Sequence, residues 1–496
     1  MQEKIILILI LVFGFVLFNY RLNNIPNGFY SDEATIGYNA YSILQTGRDE
    51  YGQFFPIFFK LFGSYTPGLF VYLQTIPIKI FGLNIYAIRF LSTIFMIITG
   101  LNIYLFLKNN KLLKSKLSLY LSLILFFITP WTIFNARLGY ETTFAFALIS
   151  AGILLYKRPT LSFLLISLST YTGYSQRYLA PLIILLIIFL FYRGKDIKKS
   201  IFITLLSQIP NFILMFTPAF WVKSSSFTSS FFTQYLSYFS PYYLFSRGDY
   251  DLQRSLPQIS VFYSWMFVSL IIGIYYLYKN FEKPIYKYLL GLLLICPLPA
   301  ALANTTFSTQ RALPMLLPYS IIIFIGLDKI IFKLNNFSKF IIVFLLIGYS
   351  SIMLFRSYFI LFPKERLVAW DYGYKEVASY ISSHPEKHFV VDNSRGVPYI
   401  NILFFLKYPP KDYQKNANNY YSNTVFTPDS AFANVEIRPI GWKLDICQPQ
   451  ILVGDSLSIS SDQIIEHKLS KIFEIKDDNK IILQAYETNP QLKCKI

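Results

Sequence analysis

The sequence predicts a polytopic α-helical membrane protein with a C-terminal α/β domain outside the bilayer. Three observations predict it. Hydrophobic residues make up 54% of the 496 and charged residues only 15%, against about 25% charged in ordinary soluble domains. The charges are segregated, which leaves repeated apolar stretches of roughly 16–22 residues, long enough to cross a hydrocarbon core ~30 Å thick. From about residue 361 the composition turns mixed and charged, and all three histidines lie beyond that point. The net charge of +18 is not read as a nucleic-acid footprint, because much of it sits in short loops between apolar stretches.

The first apolar run, residues 4–20 (KIILILILVFGFVLFNY), carries no A-x-A-type cleavage site and reads as a retained anchor. Further spans are expected at about 87–107, 117–134, 142–156, 160–176, 179–192, 201–221, 258–278, 287–303, 312–328 and 339–360, about eleven in all. Every second connection is basic: Lys108 to Lys116, Lys157 with Arg158, Arg193 to Lys199, Lys279 to Lys287, and Lys329 to Lys339. The positive-inside rule places these loops and the N-terminus in the cytoplasm of a plasma-membrane protein. The first loop, residues 222–257, residues 304–311 and the tail then face outward. Residues 65–82 (YTPGLFVYLQTIPIKIFG) are apolar enough to span, yet counting them would invert every later loop. They also contain Pro67, Pro77 and Lys79, and they read as an amphipathic helix in the outer interface. The organisation expected is a transmembrane domain over 1–360, with its first outer loop at about 21–86, and an extracytoplasmic α/β domain over 361–496. In the tail, helices are expected at about 372–383 and 397–407 and a strand at 388–393. Further strands are expected at VEIRP, QILVGD, KIFEI and IILQAYE. An oxidising exterior would permit a disulfide between Cys447 and Cys494, whereas Cys296 lies in a span.

The candidate chemistry lies in the outer loops. Asp32 and Glu33 are adjacent carboxylates just after the first span, and ionisable groups held at a membrane face cost desolvation energy. A transferase on the outer face must draw its sugar from a membrane lipid. It then needs a carboxylate to take the acceptor proton, cations to neutralise the departing phosphate, and an apolar groove for the lipid. Asp32 and Glu33 answer the first need. Arg89, Arg137 with Glu141 in NARLGYE, Arg177 in SQRY and Arg311 in STQRALP answer the second, each beside an apolar run on the outer side. Each arginine has a plain alternative as a snorkelling anchor or a partner for Glu141. Asp49-Glu50 and Asp249 with Asp251 read more readily as ordinary solvated loop charges than as a second acidic site or a cation- or acceptor-binding loop. His384 and His388 are separated by Pro385 with no acidic or cysteine cluster beside them. No cofactor is expected, and a divalent metal is not indicated.

The stretches GFYSDEATIGYNAYSILQTGRDEYG, YTPGLFVYLQTIPIKIFG and IRFLSTIFMIITG resemble the start of family-39 GT-C glycosyltransferases. That family includes protein mannosyltransferases and bacterial aminoarabinose transferases. STQRALPMLLPYSIIIFIGLDKI is similar to a later stretch of bacterial relatives, and WDYGYKEVASYI and LFFLKYPPKDYQ to their tails. The resemblance implies a GT-C fold with interfacial helices in the first loop. It also implies inverting transfer from a polyprenyl-phosphate sugar to a hydroxyl of a protein, lipid or envelope glycan. It gives Asp32 the role of base, with Glu33 assisting or binding the acceptor. The chain departs from the family where mannosyltransferases carry a His-Pro-Pro-Leu-Gly-Lys-like stretch. Here Tyr65-Thr66-Pro67-Gly68-Leu69 keeps part of it, which leaves the phosphate contact to Lys60, Lys79 or Arg89. Two rival classes are a transporter or flippase of lipid-linked sugars and a non-catalytic assembly or receptor protein with an external domain. The first would place charges at mid-span in two related halves. The second would leave Asp32-Glu33 indifferent to substitution.

Overall fold

In the computed structural model the described residues are 2–62, 64–217, 230–303, 306–417, 429–477 and 480–493. Part of the span expected at 201–221 and part of the 222–257 loop therefore lie outside the described residues, as does Cys494. The chain packs into two compact units. One comprises Met1–Leu22 with Arg89–Glu365, the other Asn23–Ile88 with Arg366–Ile496.

The first unit is helical. Among the described residues, six helices are long and apolar enough to cross a membrane: Gln2–Asn19, Ile85–Asn109, Tyr174–Phe191, Pro284–Ala301, Leu313–Phe332 and Asn336–Glu365. A seventh candidate is the pair Lys116–Ile128 and Pro130–Ala136, bent by 57°. The bend falls at Thr129, which is extended (φ −64°, ψ 133°), the conformation imposed on a residue before proline. Shorter apolar helices, Glu141–Leu154, Pro159–Tyr171 and Met266–Lys279, lie in the windows expected at 142–156, 160–176 and 258–278.

Leu313–Phe332 runs through the centre of this unit, 83% of its apolar window being buried. Met266–Lys279 crosses it at two glycines. A Cβ on Gly273 would lie 2.1 Å from the Ile322 carbonyl oxygen, and one on Gly326 would lie 1.8 Å from that of Ser269. Small residues are what let backbones approach this closely. Polar pairs tie Ile85–Asn109 to Glu141–Leu154: Asn102 Nδ2 donates to Ser150 Oγ at 2.9 Å, and Thr143 Oγ1 to Ser92 Oγ at 3.0 Å. At the other end of the central helix, buried Asp328 accepts the Lys114 backbone N–H on both carboxylate oxygens, at 3.1 and 3.0 Å.

The second unit joins the first loop to the tail, whereas the sequence grouping kept that loop with the transmembrane part. The reason is side-chain complementarity that no local pattern reveals. The helix Ser31–Thr46 packs against Pro398–Leu406 as well as against Leu69–Phe81. Gln414 Nε2 donates to Ser42 Oγ (2.9 Å), Thr46 Oγ1 (3.1 Å) and the Asp49 carbonyl (2.8 Å), and Tyr38 Oη donates to the Tyr408 carbonyl (3.1 Å). The segment read as one interfacial helix at 65–82 divides in two. β2 (Ser64–Pro67) pairs antiparallel with β1 (Phe58–Leu61), and the helix is Leu69–Phe81. At 1.5 Å per residue its 13 residues reach about 20 Å, short of a ~30 Å core. It buries Phe70, Val71, Gln74, Pro77 and Ile78 on one face and exposes Ile76 and Ile80 on the other.

The tail forms a mixed six-stranded sheet in the order β4-β5-β3-β6-β8-β7. The strands are β3 (Phe389–Val391), β4 (Ser430–Phe432), β5 (Val435–Ile437), β6 (Ile451–Gly454), β7 (Ser470–Asp477) and β8 (Lys480–Glu487). β3 lies parallel to β5 and β6, and β8 runs antiparallel to β6 and β7. The helices Tyr374–Ser383 and Pro398–Leu406 fall in the expected windows. Cys447 is disulfide-bonded and Cys296 is a buried free thiol.

Candidate functional site

The acidic pair opens a helix. Tyr30 is its extended N-cap, and Asp32 and Glu33 occupy the first turn of Ser31–Thr46. Carboxylates there meet the positive end of the helix dipole. Asp32 is exposed, whereas Glu33 is fully buried.

A third carboxylate meets this turn from the tail. The Ser31 backbone N–H donates to Asp371 Oδ2 at 2.9 Å. Asp371 adopts a left-handed conformation, φ 48°, directly after Trp370, and Trp370 packs tightly on the loop that leads to the helix. A Cβ on Gly28 would stand 1.7 Å from the Trp370 carbonyl oxygen, and the Tyr30 and Trp370 rings meet edge-on at 6.2 Å. Burial pushes the Asp371 carboxyl up to about 6. Hydrogen bonding from Ser31 opposes this, and the negative charge of Asp32 adds to it. Sequence reasoning missed Asp371. Its one signal is an aspartate inside the aromatic stretch WDYGY, and no spacing links that stretch to Asp32.

Asp49 and Glu50 correct the expectation of a solvated loop, being 2% and 0% exposed. Asp49 Oδ1 accepts the backbone N–H groups of Tyr51 (3.0 Å) and Gln53 (2.8 Å) and so folds the turn on itself. Asn39 clasps Glu50 from both sides. Its Nδ2 donates to Glu50 Oε1 at 3.2 Å, and its Oδ1 accepts the Glu50 N–H at 3.0 Å. Burial raises the Glu50 carboxyl to about 8 despite the Asn39 bond, with Asp49 adding to the rise. Lys60, paired in register with Tyr65, sets its Nζ 5.3 Å from the Tyr51 ring centre. Burial lowers its pKa, and the nearby Asp49 charge opposes the shift. Lys60 is thus bound up with the Asp49–Tyr51 turn.

In the helical unit the expected cations fall into three groups. Arg89 and Arg137 are both fully buried and meet, with exposed Arg21, at the C-terminal end of Gln2–Asn19. Arg137 donates through Nη1 to the carbonyls of Leu17 (3.2 Å) and Phe18 (2.8 Å) and through Nε to Tyr358 Oη (3.2 Å). Arg89 Nη1 donates to the Leu22 carbonyl at 3.2 Å. These bonds satisfy carbonyls at and just beyond the end of that helix, where cations are favoured.

Exposed Arg311 donates to the Ala303 carbonyl at 3.3 Å and neighbours Arg254 and Asp249. Asp249 corrects a second loop expectation, being 4% exposed. It accepts from Thr309 N (2.9 Å), Thr309 Oγ1 (3.1 Å) and Arg254 Nε (3.2 Å). Arg177 lies over the Tyr174 ring at 4.7 Å and lines a cavity of about 550 Å³ walled by apolar residues such as Phe163, Ile184, Leu205 and Phe212. Half-buried Glu141 opens Glu141–Leu154, and its Cγ lies 3.9 Å from where a Cβ on Gly173 would stand. Among the described residues, no group of three or more His, Cys, Asp or Glu is placed to hold a metal ion.

The architecture is the GT-C glycosyltransferase fold, in both its helical part and its tail. ArnT from Cupriavidus metallidurans in the apo state superposes with a TM-score of 0.60 at 11% identity, over 99% of both chains. The same protein bound to undecaprenyl phosphate gives 0.56 at 12% identity, again over 99% of both. The archaeal oligosaccharyltransferase AglB from Archaeoglobus fulgidus, in complex with an inhibitory peptide and a dolichol-phosphate, gives 0.50 at 11% identity, over 82% of this chain and 64% of that one. No family model and no curated protein matches the sequence.

Proposed function

We propose that the chain is a membrane glycosyltransferase that moves a sugar from a polyprenyl-phosphate donor to a hydroxyl acceptor on the outer face of the plasma membrane. The observation that carries this is Asp32, the exposed carboxylate on the first turn of Ser31–Thr46, in a chain whose fold follows ArnT from end to end. Support for the donor class comes from ArnT and AglB, whose structures hold undecaprenyl phosphate and a dolichol-phosphate.

In this reading the acceptor oxygen attacks the anomeric carbon from the face opposite the phosphate. Its bond to carbon forms as the anomeric C–O bond to phosphate breaks. The acceptor proton passes to Asp32, and the bonding pair leaves with the phosphate. Glu33, being buried, supports the turn. The Arg21, Arg89 and Arg137 cluster supplies the positive potential for the leaving phosphate, with Arg311 as a further cation and Lys60 and Tyr65 lending support from the hairpin. The Arg177 cavity suits a stretch of polyprenyl chain, and Glu141 is assigned to the acceptor side. About eleven spans, a cytoplasmic N-terminus and an extracytoplasmic tail complete the topology.

The test is sugar transfer from polyprenyl-phosphate donors by the purified protein in lipid, wild type beside Asp32→Asn. Loss of at least about 10²-fold in turnover is expected if Asp32 is the general base, with an unchanged unfolding temperature. Transfer at the wild-type rate in the variant removes Asp32 from the mechanism.

A further inference from the structure

We infer that a cleft in the unit formed by 23–88 and 366–496 binds the phosphate-bearing polyol portion of an acceptor, an assignment that rests on the transferase reading. The cleft encloses about 980 Å³ and is lined from both parts of that unit. Lys375 projects from Tyr374–Ser383, and Lys407 ends Pro398–Leu406. Asn23, Asn24, Ser379 and Ser382 add amide and hydroxyl groups. Among the described residues these six side chains are exposed and enter no ion pair or hydrogen bond, and no carboxylate shares the lining.

A cleft this rich in unspent donors and lacking acidic groups selects an anion with several oxygens. Phosphate fits it, since lysine binds phosphate as a point charge while amides and hydroxyls take the remaining oxygens. Lys407 sits at φ 51°, in the left-handed position that ends its helix. Phe405 and Tyr86 offer partly exposed aromatic faces at the cleft, with Phe404 buried behind them, a surface suited to the C–H faces of a sugar or polyol. Phe81 stands at the cleft 41% exposed, one residue from Ile80 at 67%. The opening therefore borders the apolar face that the Leu69–Phe81 helix offers to a bilayer.

A phosphodiester polyol reaches such a site either as a lipid headgroup or as a free envelope polymer. The experiment uses the full chain in phosphatidylcholine nanodiscs, without donor, and measures calorimetric binding of a poly(glycerol phosphate) oligomer beside a neutral dextran oligomer of equal length. Wild-type protein is expected to bind the charged oligomer. The Lys375→Gln/Lys407→Gln double variant should bind it at least about tenfold more weakly, with a shallower salt dependence and an unchanged unfolding temperature. Equal binding by wild type and variant, or equal binding of the neutral oligomer, overturns the assignment. Phosphatidylglycerol discs that displace the oligomer identify the headgroup as the natural source, and undisturbed binding identifies the polymer. A protein that binds the oligomer but transfers no sugar from any donor refutes the transferase reading and keeps the cleft. Transfer without oligomer binding does the reverse.

Discussion

Replacing Asp371 with asparagine should make the protein more stable, and only above acidic pH. The wild-type carboxyl has its pKa raised from 3.8 to about 6 in the folded state. A raised pKa means that the folded protein holds this proton more tightly than the unfolded chain. Stability from the group is therefore fully present below about pH 3.8 and is lost as pH rises through about 6. The shift of about two units corresponds to roughly 3 kcal/mol at 1.36 kcal/mol per unit. Asparagine removes the charge yet keeps an oxygen for the Ser31 N–H. The assay is thermal unfolding of the full chain in lipid, wild type against Asp371→Asn, at intervals from pH 4 to 7.5. The two should unfold together near pH 4. They should diverge across pH 4–6, with the variant higher by several degrees at pH 7, since about 1 kcal/mol moves the midpoint of a mid-sized domain by roughly 2–4 °C. Curves that stay parallel over this range would refute the idea that the ionised Asp371 carboxyl is held in a buried site at a cost.

Two further outcomes follow from buried ionisable groups. Burial raises Glu50 from 4.5 to about 8, so Glu50→Gln should unfold close to wild type near pH 4.5 and exceed it by a margin that widens up to about pH 8, read by the same assay. Arg137→Met removes three hydrogen bonds and strands the Leu17 and Phe18 carbonyls. It should cost at least about 2 kcal/mol, seen as a lower unfolding temperature at every pH.

What the sequence revealed and what it hid divide along a physical line. The tail strands were legible because β3, β5, β6, β7 and β8 are short β-branched and aromatic runs set between turn residues. Asp32 and Glu33 stood out because an acidic pair beside a span is rare. Asp371, Asp49, Glu50 and Asp249 did not. Their environments are made by partners far away or on other elements: Ser31, 340 positions from Asp371, Asn39 for Glu50, and Thr309 for Asp249. A solvated carboxylate and a buried, clasped one read alike until the fold supplies the clasp. The arginines lie between these cases. Their location at helix ends was evident, but the bonds of Arg137 to Leu17, Phe18 and Tyr358 were not.

The shared unit of the first loop and the tail sets an order of events during synthesis. Residues 23–88 leave the ribosome early, and the whole of Arg89–Glu365 follows before the tail begins. At ~5–20 residues per second that interval is on the order of half a minute. Throughout it Ser42, Thr46 and the Ser31 N–H lack Gln414 and Asp371, so the loop is an incomplete half awaiting its complement. Its maturation also consumes a proton. Glu50 is ionised while water reaches it, and at neutral pH it becomes mostly protonated once it is enclosed. Completion of this unit should therefore proceed more readily in a mildly acidic medium than in an alkaline one.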